Sequence, residues 1–78
     1  MHLTTTQKVL SEDVLTTKEA CEEFRPMLGR PIDRTTLYRW ALRGIQGTRL
    51  EYTKIGGRIV TSRQAIARFL EARSSDSR

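Results

Sequence analysis

Seventy-eight residues make one small domain with a modest core, burying only about 60% of the unfolded surface. Lys+Arg number 14 against 9 Asp+Glu, a net charge of +5, and eleven of the cations are arginine, the side chain best suited to bidentate contact with phosphate and guanine. The one cysteine, Cys21, excludes an intrachain disulfide and a multi-cysteine zinc site, and the one histidine, His2, leaves little for a metal site or a catalytic pair.

The expected order is a mainly α domain with a small β-hairpin. Residues 1–14 are polar and threonine-rich and read as a flexible arm, with no signal peptide pattern. Thr16-Thr17-Lys18-Glu19 is a capping box that opens a helix, with Ala20, Cys21 and Phe24 on one face. Pro26 ends that helix near Phe24 or Arg25. Residues 25–32 read as a loop pinned to the core by Met27, Leu28 and Ile32. Asp33 then caps a helix over 34–43, which Gly44 stops. At about 100° per residue, Leu37, Trp40 and Ala41 form its apolar arc, and Thr35, Thr36, Arg39 and Arg43 gather opposite. Tyr38 lies at the border. Trp40 belongs with the core.

After a connection over 45–48, residues 49–55 and 58–61 read as two strands joined by Gly56-Gly57, a dipeptide that suits turns with positive φ. A second capping box, Thr61-Ser62-Arg63-Gln64, opens the last helix. Its Ala65, Ile66, Phe69 and Leu70 face the core, while Arg63, Arg68 and Glu71 face water. Residues 74–78 read as a disordered tail. No run approaches the ~18 apolar residues of a membrane span, so a cytoplasmic location is the default.

Charge is uneven along this order. Residues 34–63 hold seven cations and one anion, Glu51. An arginine-faced helix followed by a cationic hairpin is the placement expected if the helix enters a DNA groove while the hairpin tracks the phosphates. No acid, base and pocket can be assembled, so an enzyme, a cofactor or a small-molecule substrate is not expected.

With these residues in hand, the chain resembles the excisionase-like, MerR-related winged helix-turn-helix family. The matching stretches are LTTKEACEEF, DRTTLYRW, TKIGGRIVTS and RQAIARFLEA, over roughly residues 15–73. The RGIQGTRLE variant looks like a bacterial subfamily of unknown function with the same fold. The resemblance implies a winged helix-turn-helix of three helices plus a two-stranded wing over 15–73. It implies double-stranded DNA as partner, in transcriptional regulation or as a recombination factor. Thr35, Thr36, Tyr38 and Arg39 match the reading helix, and Lys54, Gly56, Gly57 and Arg58 match the wing; Arg43 is added by helical geometry, and Arg34, a cation of the same stretch, joins the candidate DNA-binding residues. The longer RPMLGRPI connection departs from the tight turn that relatives often use. An isolated module has an interface of about 600–1,000 Å², so tight binding is expected to need a second copy, repeated sites, or a recombinase or transcription protein. The alternative is a packaging or antitoxin-like adaptor that keeps the fold without specific DNA binding.

Overall fold

A computed structural model describes the backbone of residues 4–76 and the side chains of residues 4–73. The element order is α1 (Thr5–Leu10), β1 (Val14–Leu15), α2 (Thr17–Glu23), α3 (Arg25–Leu28), α4 (Arg34–Leu42), β2 (Thr53–Ile55), β3 (Arg58–Ser62) and α5 (Arg63–Asp76). It is a small α/β domain whose strands form one antiparallel sheet in the order β1–β3–β2. The expected two-stranded wing is therefore part of a three-stranded sheet. Val14 pairs with Ser62 and Leu15 with Thr61. Two residues are too short for any periodicity to announce; they are a strand because β3 pairs them.

The core is a single cluster. Leu15, Ala20, Phe24, Leu37, Ala41, Leu50, Ile59, Ala65, Ile66 and Phe69 are buried in it, with Cys21, Ile32, Tyr38 and Trp40 packed against its margin. The Trp40 ring meets Phe24 edge-on at 5.3 Å and Phe69 at 5.4 Å. It thereby fastens α4 to the junction of α2 and α3 and to α5, and aromatic pairs of this kind add to simple burial.

The capping boxes explain where α1 and α2 begin. In α2 the Glu19 amide donates to the Thr16 hydroxyl, and the Thr16 amide donates to the Glu19 carboxylate. A box of the same kind, Thr4 with Gln7, starts α1. The stretch expected to be a loose arm is thus folded from Thr4 onward: α1 packs against β2 and β3 with Val9 fully buried, and the Thr6 hydroxyl bonds that of Thr53 at 2.9 Å. Residues 1–3, His2 among them, lie outside the described residues. So do residues 77 and 78 of the expected tail, whose residues 74–76 continue α5.

Four further expectations are corrected. Residues 25–28 are a helical turn rather than loop, since Pro26 sits in the first turn, where its missing N–H costs nothing. Met27 and Leu28 do not pin it; each is 50% exposed, because the turn points them away from the cluster that Ile32 joins. Residues 49–52 precede β2 rather than belong to it. The last box is displaced by one residue. Ser62, not Thr61, accepts from the Ala65 amide at 2.9 Å, because Thr61 is held in β3 and donates to the Glu51 carbonyl at 2.7 Å. Gln64 is drawn off to Asp13, accepting from its amide at 3.0 Å and donating to its carboxylate at 2.8 Å.

Candidate nucleic-acid interface

Helix α4 begins where the Thr36 amide donates to the Asp33 carboxylate at 2.7 Å. Thr36, through side chain and amide, holds the Asp33 carboxyl below its usual range. The helix stops at Gly44, whose φ of 79° lets its amide donate to the Arg39 carbonyl at 3.0 Å. The Leu50 amide then bonds the Trp40 carbonyl at 3.0 Å, fixing where the chain leaves the helix. Between them Ile45 and Thr48 exchange two backbone bonds across Gln46 and Gly47, both with positive φ. A small turn of the primed kind therefore replaces the plain connection expected at 45–48.

These constraints settle which residues α4 turns outward. Thr35, Arg39, Leu42 and Arg43 are exposed and, with the half-buried Tyr38, line one shallow depression. Thr36 is not among them. It lies round the helix beside Trp40, Asp33 and Ile32, because position 36 falls nearer the apolar arc than position 35 does. Leu42 is 44% exposed and lines the same depression, although an apolar residue near a helix end reads as core in the sequence.

The remaining site residues divide between two clefts. Arg34, Tyr38 and Arg58 line one of about 600 Å³ that also holds Lys18 and the N-terminal residues of α2, Thr16 and Thr17. Thr17 is anchored there, donating to the Ile59 carbonyl at 2.7 Å, and the Tyr38 hydroxyl lies 3.5 Å from the Ile59 amide as a long acceptor. Lys54 lies in the other cleft, with Arg49, Thr5 and Thr6. Gly56 and Gly57, at φ of 59° and 79°, make the open tip between β2 and β3. The structure thus brings Thr35, Tyr38, Arg39 and Arg43 together and joins Arg34 with Arg58, but it sets Thr36 and Lys54 apart. Lys18 is the cation that sequence reading left in α2; its place beside the hairpin depends on a fold-level contact.

The ion pairs are unevenly placed. Lys8, Arg25, Arg63 and Arg68 engage Glu12, Asp13, Glu22, Glu23 and Glu51. Arg68 was expected to face water. Instead it grips Glu12 with two bonds, at 2.8 and 3.1 Å, and bonds Glu51, which Lys8 also holds at 2.9 Å. The Arg68 bonds, helped by Ser62, hold the Glu12 carboxyl low. Burial pushes Glu51 up, but the bonds from Lys8 and Arg68 outweigh it and leave it low. The one anion of the 34–63 stretch is therefore occupied from behind. Arg34, Arg39, Arg43, Arg49, Lys54 and Arg58 enter no ion pair among the described residues.

A family model described as a protein of unknown function (DUF1580) matches residues 16–74. The chain belongs to that family. The match opens at the cap of α2, so α1 and β1 of this DUF1580 chain lie before it. No curated protein and no solved structure matches the chain. Among the described residues no group of acidic, histidine and cysteine side chains is placed to hold a metal ion, and no helix is long and apolar enough to cross a membrane.

Proposed function

We propose that this DUF1580 chain binds double-stranded DNA as a winged helix-turn-helix of the excisionase-like, MerR-related kind. Helix α4 enters the major groove, and the β2–β3 hairpin lies on the backbone or in the minor groove. The role is transcriptional regulation or recombination, in the cytoplasm, with a second copy or a partner protein supplying the rest of a tight interface.

One observation carries this reading. The ion pairs collect among α1, the Glu12-Asp13 segment, α2, α3, α5 and Glu51, while the cations of α4, the 45–49 turn and the hairpin enter no ion pair among the described residues. Salt bridges that occupy Glu12, Asp13, Glu22, Glu23 and Glu51 leave Asp33, the N-cap of α4, as the carboxylate beside this face, where cations outnumber it, and such a field attracts a polyanion and steers its approach. A face of arginines and hydroxyls on a capped helix has the donors that guanine edges and phosphates accept. Tyr38 and Arg34 line the cleft between helix and hairpin together with Lys18 and Arg58, which adds three cations to that face.

A fluorescence-anisotropy titration with random duplex at low salt tests it, followed by selection of bound duplexes from a random pool. Arg39→Ala is expected to cost about 1–3 kcal/mol on the selected duplex and to relax its sequence preference. Lys54→Ala is expected to weaken all duplexes alike and to lower the slope of log K against log salt by about 1. Unchanged affinity in both variants, with folding intact, overturns the assignment. Absence of binding to any duplex favours the adaptor reading.

A further inference from the structure

The outward face of α4 is not uniformly polar. Leu42 stands exposed in it, with Arg39 three residues before, Arg43 directly after, and Thr35 and Tyr38 completing the wall of the same depression. The depression is small, about 270 Å³, and its surface is mostly apolar although cations flank it. A leucine exposed there does nothing for the core, which α4 serves through Leu37 and Ala41. In the major groove one apolar group distinguishes base pairs, the methyl on C5 of a pyrimidine.

We propose that Leu42, with the Thr35 methyl and the Tyr38 ring, is a specificity-determining contact for a pyrimidine C5-methyl group in the major groove. This rests on the DNA-binding reading above and goes further, since it names the chemistry that α4 selects. Thymine carries that methyl, and so does 5-methylcytosine. The flanking charge argues for the occupant. Arg39 and Arg43 form no ion pair among the described residues and outnumber the one carboxylate that Arg39 feels, Asp33, so the depression lies in a field that draws a polyanion rather than an apolar protein segment. Arg39 and Leu42 are three residues apart, about 4.5 Å along the helix axis at 1.5 Å per residue. A base step is about 3.4 Å. The methylated pyrimidine therefore lies within one or two steps of the base that Arg39 reads.

The test uses the full chain and the duplex recovered by selection, prepared in three forms: natural, with uracil replacing thymine, and with 5-methylcytosine replacing cytosine. Uracil removes the methyl and leaves the hydrogen-bonding edge intact. Wild-type protein is expected to bind the uracil form about fourfold more weakly, the factor for one buried methyl group. Leu42→Ala is expected to bind both forms alike, and Leu42→Met to retain the difference. A gain on the 5-methylcytosine form, again lost in Leu42→Ala, assigns the methyl to cytosine instead and supports the same pocket. Equal wild-type affinity for all three forms overturns the proposal while leaving DNA binding standing. A uracil penalty undiminished in Leu42→Ala also overturns it, since the methyl is then felt through duplex shape. If the protein binds no duplex, the DNA reading falls and this inference with it. Leu42 is exposed, so thermal melting of the variants is expected to match wild type and to separate folding from recognition.

Discussion

Gly44 and Gly29 both hold positive φ, 79° and 80°, yet they differ in what surrounds them. A Cβ on Gly29 meets nothing within 4 Å, whereas one on Gly44 runs into the Thr48 carbonyl oxygen and sits 2.7 Å from Cγ of Arg49. Gly29→Ala is therefore expected to carry only the left-handed backbone penalty, about 1–2 kcal/mol. Gly44→Ala adds a collision with backbone and is expected to cost about 2–4 kcal/mol. Urea unfolding of the two variants checks the ranking; equal midpoints would remove the argument from close approach. Trp40 is a second position where role and location can be separated. Its contacts with Phe24 and Phe69 make it an anchor of α4. Trp40→Ala is expected to lose about 3 kcal/mol of stability, and any loss of DNA affinity should follow the unfolded fraction.

The connection between α1, the segment before β2 and α5 is electrostatic as well as apolar. Arg68 spans Glu12 and Glu51, Lys8 closes the other side of Glu51, and Ser62 donates to Glu12 at 2.7 Å. Removing Arg68 leaves two acceptors facing each other. Arg68→Ala is expected to cost about 1–2 kcal/mol, kept modest because the side chain is 39% exposed and water screens it. Both carboxyls titrate low in the folded chain, so their contribution is present at neutral pH. It is lost as the pH falls through the ordinary carboxylate range and below it, where both carboxyls take up their protons. Glu12→Gln is expected to lower stability at pH 7 and to flatten that acid slope. A slope as steep as wild type in chemical unfolding at stepped pH would contradict the network. Helix α1 itself is a structural member: Val9→Ala is expected to cost about 1–3 kcal/mol, measurable by thermal melting, where a loose arm would show no change.

Charge separation gives the domain its polarity. Ion pairs gather where α1, α2 and α5 meet the sheet, and the cations of α4 and the hairpin enter no ion pair among the described residues. Duplex affinity is therefore expected to fall linearly on a log–log plot against salt, by about 0.9 per phosphate neutralised. The double variant Arg34→Ala, Arg58→Ala removes two cations lining one cleft and is expected to lower that slope by about 2, with sequence preference retained. The reverse pattern, lost preference with an unchanged slope, would show that this cleft faces bases rather than phosphates.

Local chemistry was legible from residue order wherever it acts within a few positions. The Thr16–Glu19 box, the Asp33 cap, the Gly44 stop, the Gly56-Gly57 turn and the apolar arc of Leu37, Trp40 and Ala41 all depend on neighbours three or four residues away, and periodicity reports them. The Thr4–Gln7 box and the Gln46-Gly47 turn are local signals of the same kind. What residue order could not supply is any pairing across long separations. β1 exists because β3 pairs it, and Arg68 is occupied because Glu12 and Glu51 are brought to it. Thr61 yields its cap to Ser62 because Glu51 claims its hydroxyl. The candidate interface follows the same division. Arg39, Arg43 and Thr35 share a face by helical geometry alone. The exclusion of Thr36, the exposure of Leu42 and the meeting of Arg34 with Arg58 and Lys18 arise from how α4 rolls on the core and where the hairpin docks, which is set by packing between distant residues.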